Sequence, residues 1–340
     1  MQTDAAQSLF PPVPDEVTST LRALRRPVVI SHVVPDADAL GSMFAVVRAM
    51  SGGDCAPKAS LPLGSLSQRL RFMSDWAQPT VAKESDFQDA DGFVVLDTAK
   101  LPRCNMFREL KQTAWAGDRP VLNIDHHATN TRFGTINWVV DKAGSTCELV
   151  YYLALAMDLP IDDVTASLLY AGIQTDTSGF SLPTTTPAAL QVASGLAGHG
   201  ARIGELGERL CRSQSQSEFN LLKTIYANTR VVADGRIAYS SASFDEIKAA
   251  GCTAADIDDQ VDIPRSVDGA VLAMLFTEGI VGKSRINFRG SGSVTVVELA
   301  EEFGGGGHKQ AAGSVLDCHV QDAIERVVPR AKAYLAERQA

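Results

Sequence analysis

Three short apolar runs in the first half of the sequence each stop at Asp or His. They are Pro27–His32, then Gly92–Leu96 followed by Asp97, then Val121–Ile124 followed by Asp125-His126-His127. An apolar run of this length that ends in polar residues is typical of a buried β-strand. In an open α/β sheet the carboxyl ends of parallel strands lie along one edge. The sequence therefore predicts that these polar side chains meet at one edge of a parallel sheet.

The loop after the first run carries His32, Asp36 and Asp38, with Pro35 stiffening the chain before the first carboxylate. A helical pattern, Ala39–Met50, follows the loop. Two interpretations stand at this point. The carboxylates converge on a cation, or they cap the helix that begins after them, which is a common role for Asp.

Two further segments carry polar residues next to helical patterns. Ser145-x-x-Glu148 matches a capping box that opens a helix through about Met157. A helix over Val164–Ile173 leads into the turn-like stretch 174–180, which contains Asp176. For Asp97 and Asp176 the alternative to a functional role is a turn carboxylate that bonds its own backbone.

Together these positions form a set of imidazoles and carboxylates that contains no thiolate. Such a set favours Mn²⁺ or Mg²⁺ over structural zinc. Six or more ligands are too many for one ion, but they suit two ions that share a bridging carboxylate. Paired ions of this kind are used for phosphoester hydrolysis.

Length and composition limit the class of protein. A chain of 340 residues predicts two domains. A net charge of −9 argues against a binding site for long nucleic acid, although a local pocket can still bind a short ligand that carries phosphate.

The six cysteines contain no CxxC pair, which indicates reduced thiols and a cytoplasmic protein. The acidic N-terminus is not expected to be a signal peptide, and the longest apolar run, Leu149–Met157, is far shorter than the ~20 residues of a membrane span.

The pattern of the chain changes after Thr229. Before it, the stretches 188–212 and 213–227 are predicted to be helical. After it, a hairpin around Asp234-Gly235, strands over Val271–Phe276 and Ser284–Phe288, and a helix over 294–303 are predicted. We therefore expect a first domain over residues 1–205, a helical linker over 206–228 and a second domain over 229–340.

Four consecutive glycines, Gly304–Gly307, precede His308 in the second domain. Glycine loses the most backbone entropy on ordering, so such a run stabilises neither a helix nor a strand. It suits a segment whose backbone approaches a ligand closely and points N–H groups at phosphate oxygens. The alternative is a flexible linker.

The motifs of the first domain resemble those of the DHH phosphoesterase superfamily in order and approximate spacing. They are His32-Val-Val-Pro-Asp36-Ala-Asp38, Asp97, Asp125-His126-His127 and Thr175-Asp176-Thr177. The glycine run with His308 resembles the GGGGH motif of the DHHA1 domain, which accompanies DHH in the bifunctional oligoribonuclease and pAp phosphatase (NrnA-like) family. One element departs from that family, because its usual Ser-x-Arg-Ser is replaced here by Asn287-Phe288-Arg289-Gly290.

The resemblance implies an α/β fold in which a parallel-sheet DHH domain is joined by a helical linker to a smaller α/β DHHA1 domain, with the active site in the cleft between them. It also implies two divalent ions, most readily Mn²⁺, with Mg²⁺ as the alternative. The implied ligands are His32, Asp36 and Asp97 for one ion and Asp38, Asp97, His126 and Asp176 for the other. Asp97 would bridge the ions, and Asp38, Asp97 and His127 are the implied catalytic residues.

Further roles follow from the same resemblance. His127 would contact the scissile phosphate or protonate the leaving oxygen, and Asp125 would orient an imidazole. The distal nucleotide or its terminal phosphate would be held by Arg289, Gly305, Gly306 and His308.

The implied activity is hydrolysis of short oligoribonucleotides to mononucleotides and of 3′-phosphoadenosine 5′-phosphate (pAp) to AMP. The expected partner is thus a short oligonucleotide or nucleotide, neither long nucleic acid nor a membrane, and we also consider a homodimer. The closest alternative is a phosphodiesterase of cyclic dinucleotides or pApA, ahead of a RecJ-like exonuclease or a manganese pyrophosphatase. A non-catalytic nucleotide sensor is the alternative from another class, and it should have lost metal ligands that this sequence retains.

Overall fold

The computed structural model describes residues 12–61, 66–106, 116–182, 184–257, 259–307 and 309–338. The chain divides into two compact units, one that ends at Ser213 and one that begins at Gln214. The finer division predicted at residues 205 and 229 stays a prediction. Within the described ranges, no helix is both long and apolar enough to cross a membrane.

The first unit is built on a parallel sheet of five strands in the order β2-β1-β3-β4-β5. The strands are β1 Val28–Ile30, β2 Lys58–Ser60, β3 Phe93–Leu96, β4 Val121–Asp125 and β5 Ile136–Val139. The predicted strands β1, β3 and β4 are therefore confirmed. The short outer strands β2 and β5 were not predicted, because β2 is a three-residue strand with only one apolar residue and the apolar residues of β5 are interrupted by Asn137.

Both faces of this sheet are covered, as the continuous apolar runs of β1, β3 and β4 require. Val29 and Val94 face one buried cluster, while Val28 and Phe93 face the other. The chain leaves β1 for the outer strand β2 and then returns to β3 on the other side of β1. Such a reversal of strand order creates the crevice in which open α/β sheets bind ligands.

Helices of the first unit supply most of its larger core. They are α1 Asp15–Ala23, α2 Ala37–Met50, α3 Arg71–Ala77, α4 Glu84–Asp89, α5 Thr146–Ala156, α6 Asp163–Asp176, α7 Pro187–Gly198 and α8 Ile203–Gly207, which continues as a π-helical turn over Glu208–Arg212. The helix predicted over Val164–Ile173 is longer than expected, and Asp176 is its last residue rather than part of a following turn. The helical pattern predicted over 188–212 is broken between α7 and α8.

The second unit contains a mixed sheet of six strands in the order β10-β11-β9-β8-β7-β6. Its strands are β6 Arg230–Val232, β7 Ile237–Ala242, β8 Leu272–Ile280, β9 Lys283–Gly290, β10 Gly306–Gly307 and β11 Ala311–Leu316. Its helices are α9 Gln216–Ala227, α10 Phe244–Ala249, α11 Asp262–Arg265, α12 Val297–Glu301 and α13 Val320–Glu337. The hairpin predicted around Asp234-Gly235 is confirmed by antiparallel β6 and β7.

Helices α2 and α6 approach each other closely at Gly41. A methyl group added there would collide with the carbonyl oxygen of Leu168 and lie 2.9 Å from Sγ of Cys147. We therefore expect Gly41→Ala to lower the free energy of unfolding by about 1–3 kcal/mol, since overpacking forces backbone shifts. Urea unfolding measures this. Gly198→Ala is the matched control, because a methyl group at Gly198 meets no atom within 4 Å in the part of the chain that the structure describes. Equal stability of the two variants would contradict the packing argument.

Candidate metal centre

The loop between β1 and α2 brings His32 and Asp36 together. Oδ1 of Asp36 accepts a hydrogen bond from the backbone N–H of Ala39 at 3.0 Å, so this residue is the N-cap of α2. Its other oxygen, Oδ2, lies 3.9 Å from Nε2 of His32. The two interpretations of the sequence are thus compatible, because one carboxylate oxygen caps the helix while the other is available to a cation.

Asp97 lies between two groups of possible ligands. Its Oδ2 is 3.6 Å from Nε2 of His32, and its Oδ1 is 3.6 Å from Nε2 of His126. The residue is buried and follows β3 with a φ of 52°, a left-handed conformation that Asp adopts more readily than most residues. One carboxylate therefore presents a different oxygen to each imidazole.

The second group forms around His126. Nε2 of this imidazole lies 3.2 Å from Oδ2 of Asp176 and 3.9 Å from Oδ2 of Asp38. The residues come from the end of β4, the end of α6 and the first turn of α2. Ligand atoms within 4.8 Å of one another define the two groups His32-Asp36-Asp97 and Asp38-His126-Asp176, and His127 joins Asp97 and His126 in a third.

The residues present fit divalent cations. Bonds of about 2.0–2.2 Å from a Mn²⁺-sized ion to nitrogen and oxygen place neighbouring ligand atoms roughly 3–4 Å apart, which matches these separations. Burial, together with the charges of Asp176 and Asp97, raises the pKa of Asp38 well above its usual range. A cation would offset the repulsion among these carboxylates. The donor set is oxygen and nitrogen only, as the sequence indicated.

Asp38 is held by the first turn of α5. Its two carboxylate oxygens accept the backbone N–H groups of Thr146 at 2.7 Å and Cys147 at 2.8 Å. The hydroxyl of Thr146 also donates to Oδ1 of Asp97 at 3.1 Å. The N-terminus of a helix has unpaired N–H groups and a positive dipole end, so it favours a buried carboxylate.

The capping box predicted at the start of α5 forms only in part. The hydroxyl of Ser145 accepts the N–H of Glu148 at 3.1 Å, as expected. The carboxylate of Glu148 does not return to the N–H of Ser145 and instead accepts the N–H of Gly144 at 2.8 Å. The prediction of a complete box was wrong because the side chain of Glu148 is directed to the turn that precedes the cap.

His127 is oriented by a buried carboxylate. Its Nδ1 lies 2.7 Å from Oδ1 of Asp125, and Oδ2 of Asp125 accepts a hydrogen bond from Nδ2 of Asn130 at 2.6 Å. With Nδ1 donating to Asp125, Nε2 of His127 is the nitrogen available to a ligand. Asn130, which also donates to the side chain of Asn123 at 2.8 Å, had no role in the sequence interpretation. The position of Asn130 three residues after His127 is the sequence feature that could have indicated this role.

Residues predicted to bind substrate lie in the second unit. Arg289 is half-buried on β9, where it pairs with Ala311 of β11. A methyl group on Gly305 would collide with the carbonyl oxygen of Gly313, whereas a methyl group on Gly306 meets no atom of the described residues within 4 Å. Gly305 is therefore required by packing, while the space beside Gly306 holds no atom of the described residues. His308 lies outside the described residues.

Comparison with protein families matches both parts of the chain. Residues 26–173 match the DHH family, N-terminal domain, and residues 234–337 match the DHHA1 domain. The chain belongs to the DHH phosphoesterase family, in the form that carries a DHHA1 domain.

Two similar proteins are named bifunctional oligoribonuclease and PAP phosphatase NrnA. The protein from Thermus thermophilus is 30% identical over 92% of this chain and 91% of its own length. The protein from Bacillus subtilis is 26% identical over 92% of this chain and 97% of its own length. An exopolyphosphatase-related protein from Bacteroides fragilis shares the fold, with a TM-score of 0.84, 24% identity, and coverage of 95% of this chain and 97% of that protein.

Titration of the centre predicts how stability depends on pH without metal. Asp38 has a raised pKa in the folded chain, so its contribution to the free energy of unfolding falls as pH rises above its ordinary value of 3.8. Burial lowers the pKa of His126, but the hydrogen bond and charge of Asp176 raise it overall, so its stabilisation is lost as pH rises above 6.5. In EDTA we expect lower stability at about pH 8 than at about pH 5.5.

Urea unfolding at both pH values measures this effect. Mn²⁺ should reverse the trend, because metal ligands bind better when deprotonated. Greater stability at the higher pH in EDTA would contradict the arrangement of charges described here.

Proposed function

We propose that the protein is a metal-dependent phosphodiesterase that degrades short oligoribonucleotides to mononucleotides and dephosphorylates pAp to AMP. The observation that carries the proposal is Asp97, which presents one oxygen to the His32 group and the other to the His126 group. Relatives from Thermus thermophilus and Bacillus subtilis with that bifunctional name cover almost the same length of chain. The free cysteines agree with a reducing, cytoplasmic location.

The proposed ligands are those that the family resemblance implied. One ion would be held by His32, Asp36 and Asp97, and the other by Asp38, Asp97, His126 and Asp176. Mn²⁺ is the preferred identity and Mg²⁺ the alternative. When bound, such ions would supply a water-derived nucleophile at neutral pH and would stabilise the negative charge that develops on the phosphoryl oxygens.

The chain itself orients the substrate and moves the proton. His127 is held through Nδ1 by Asp125, so its Nε2 would contact the scissile phosphate or protonate the leaving oxygen. Protonation needs the doubly protonated imidazole, and although burial lowers the pKa of His127, the hydrogen bond to Asp125 raises it overall. Asn130 keeps the carboxylate of Asp125 in place. Arg289 provides a guanidinium that binds a phosphate away from the reacting one through two hydrogen bonds. Gly306 leaves room for a phosphate oxygen beside its backbone.

A substrate panel in Mn²⁺ tests the proposal directly. It compares a diribonucleotide, a long single-stranded RNA, pAp, a cyclic dinucleotide and pyrophosphate, each with and without EDTA. We expect turnover of the dinucleotide and pAp, weaker turnover of the long RNA, and loss of activity in EDTA. Preference for the cyclic dinucleotide would favour the alternative phosphodiesterase, and absence of turnover on every substrate would favour a nucleotide sensor.

Asp97 and Arg289 should affect different kinetic constants. Asp97→Asn keeps a residue that tolerates the positive φ but removes the charge shared by both groups, so it should abolish kcat. Arg289→Ala removes a charge-assisted contact of about 1.5–3 kcal/mol, or roughly 10- to 150-fold in affinity, and should mainly raise KM. Steady-state kinetics on a dinucleotide measure both. Loss of kcat at unchanged KM in Arg289→Ala would contradict a substrate-holding role.

The glycine run provides a matched pair of variants. Gly306→Ala adds a methyl group in open space at a φ that alanine adopts, so we expect an unchanged melting temperature and a raised KM. Gly305→Ala forces the methyl group against β11, so we expect a lower melting temperature. Thermal unfolding and kinetics on the same samples separate the two effects. A Gly306→Ala variant with wild-type KM would show that Gly306 is not a substrate contact.

A further inference from the structure

Glu148 is a fully buried acid to which the proposed mechanism gives no role. It lies in the first turn of α5 with an exposed fraction of 0%. Its Oε2 accepts the N–H of Gly144 at 2.8 Å. Its Oε1 is also buried and accepts no hydrogen bond from the residues that the structure describes. Such a carboxylate is costly, because burial without full hydrogen bonding removes it from water.

The peptide group that Glu148 binds also contacts a proposed metal ligand. The N–H of Gly144 and the carbonyl of Ala143 belong to the same peptide. That carbonyl oxygen lies 3.3 Å from Nδ1 of His126. A carbonyl only accepts hydrogen bonds, so Nδ1 is the donor, and Nε2 of His126 faces Asp176 and Asp97. The peptide thus connects the Glu148 carboxylate to Nδ1 of His126, the ring nitrogen that does not face Asp176 and Asp97.

Burial raises the pKa of Glu148 to about 7, although the hydrogen bond from Gly144 opposes this, so the side chain is charged above that pH. Its charge has a consequence along this connection. A carboxylate that accepts the N–H of a peptide makes the carbonyl of that peptide a stronger acceptor, since hydrogen bonds in a chain polarise one another. A stronger acceptor at Nδ1 holds the imidazole in one tautomer and one orientation and makes Nε2 more basic. A neutral side chain of the same size would hold the turn equally well without this polarisation.

We propose that Glu148 is a positioning residue that orients His126 for metal binding through the Ala143–Gly144 peptide. The inference rests on the proposed function only in that His126 is taken as a metal ligand. It does not depend on which substrate is hydrolysed. If Glu148 served the turn alone, glutamine would replace it without loss, because the glutamine carbonyl oxygen also accepts the N–H of Gly144.

Mn²⁺ titration calorimetry on the purified full chain tests the proposal, with wild type, Glu148→Gln and Leu153→Ala compared. Glu148→Gln should weaken Mn²⁺ binding about 10- to 100-fold, the range typical for groups that orient a ligand from outside the coordination sphere. Leu153 is buried in the core on the same helix, so Leu153→Ala should lower the melting temperature and leave Mn²⁺ affinity unchanged. Steady-state kinetics should recover toward wild-type kcat in Glu148→Gln at saturating Mn²⁺.

Three other results would each overturn the proposed positioning role of Glu148. Wild-type Mn²⁺ affinity in Glu148→Gln would overturn the positioning role and leave the proposed function standing. Equal weakening in Leu153→Ala would show that affinity follows overall stability, which also overturns it. A wild-type chain that binds no Mn²⁺ would overturn both the metal centre and this inference.

Discussion

The anchoring of Asp38 at the first turn of α5 is the interaction on which the centre depends. Four carboxylates lie within a short distance of one another, and each raises the cost of ionising its neighbours. The N–H groups of Thr146 and Cys147 bind both oxygens of the most deeply buried one. The same turn also supports Asp97 through a hydroxyl, so one helix terminus stabilises charge in both groups.

The packing of helices is adapted to this arrangement. Asp38 belongs to α2 and Asp176 ends α6, and the two helices are brought together at positions without side chains. A methyl group on Gly172 would lie 2.6 Å from Oδ1 of Asp38, so that glycine leaves the space which the carboxylate occupies. The close contact between Gly41 and the backbone of Leu168 likewise lets α2 and α6 lie close together. Glycine is needed at these positions for helix proximity, and that proximity places carboxylates from different helices beside one imidazole.

The fold and most of the candidate centre were predictable because they depend on local patterns. Apolar runs that end in polar residues identified β1, β3 and β4, and parallel geometry then placed His32, Asp97 and His126 at one edge. The outer strands were missed because β2 has only one apolar residue and the short apolar stretch of β5 is interrupted by Asn137. Glu148 was assigned to a capping box, since spacing along the chain does not reveal that its carboxylate is directed to Gly144.

The sequence alone determined the family, the positions in the chain of the strands that carry the polar residues and the oxygen and nitrogen character of the ligands. The family follows from the resemblance of its ordered motifs, and the strands and ligand types follow from periodicity and residue type, which are properties of the chain itself. Only the tertiary structure decided that each oxygen of Asp97 faces a different imidazole, and that Gly305 is required by packing while Gly306 is open. Those facts depend on which atoms from distant segments meet, and that is set by the packing of helices and strands rather than by spacing.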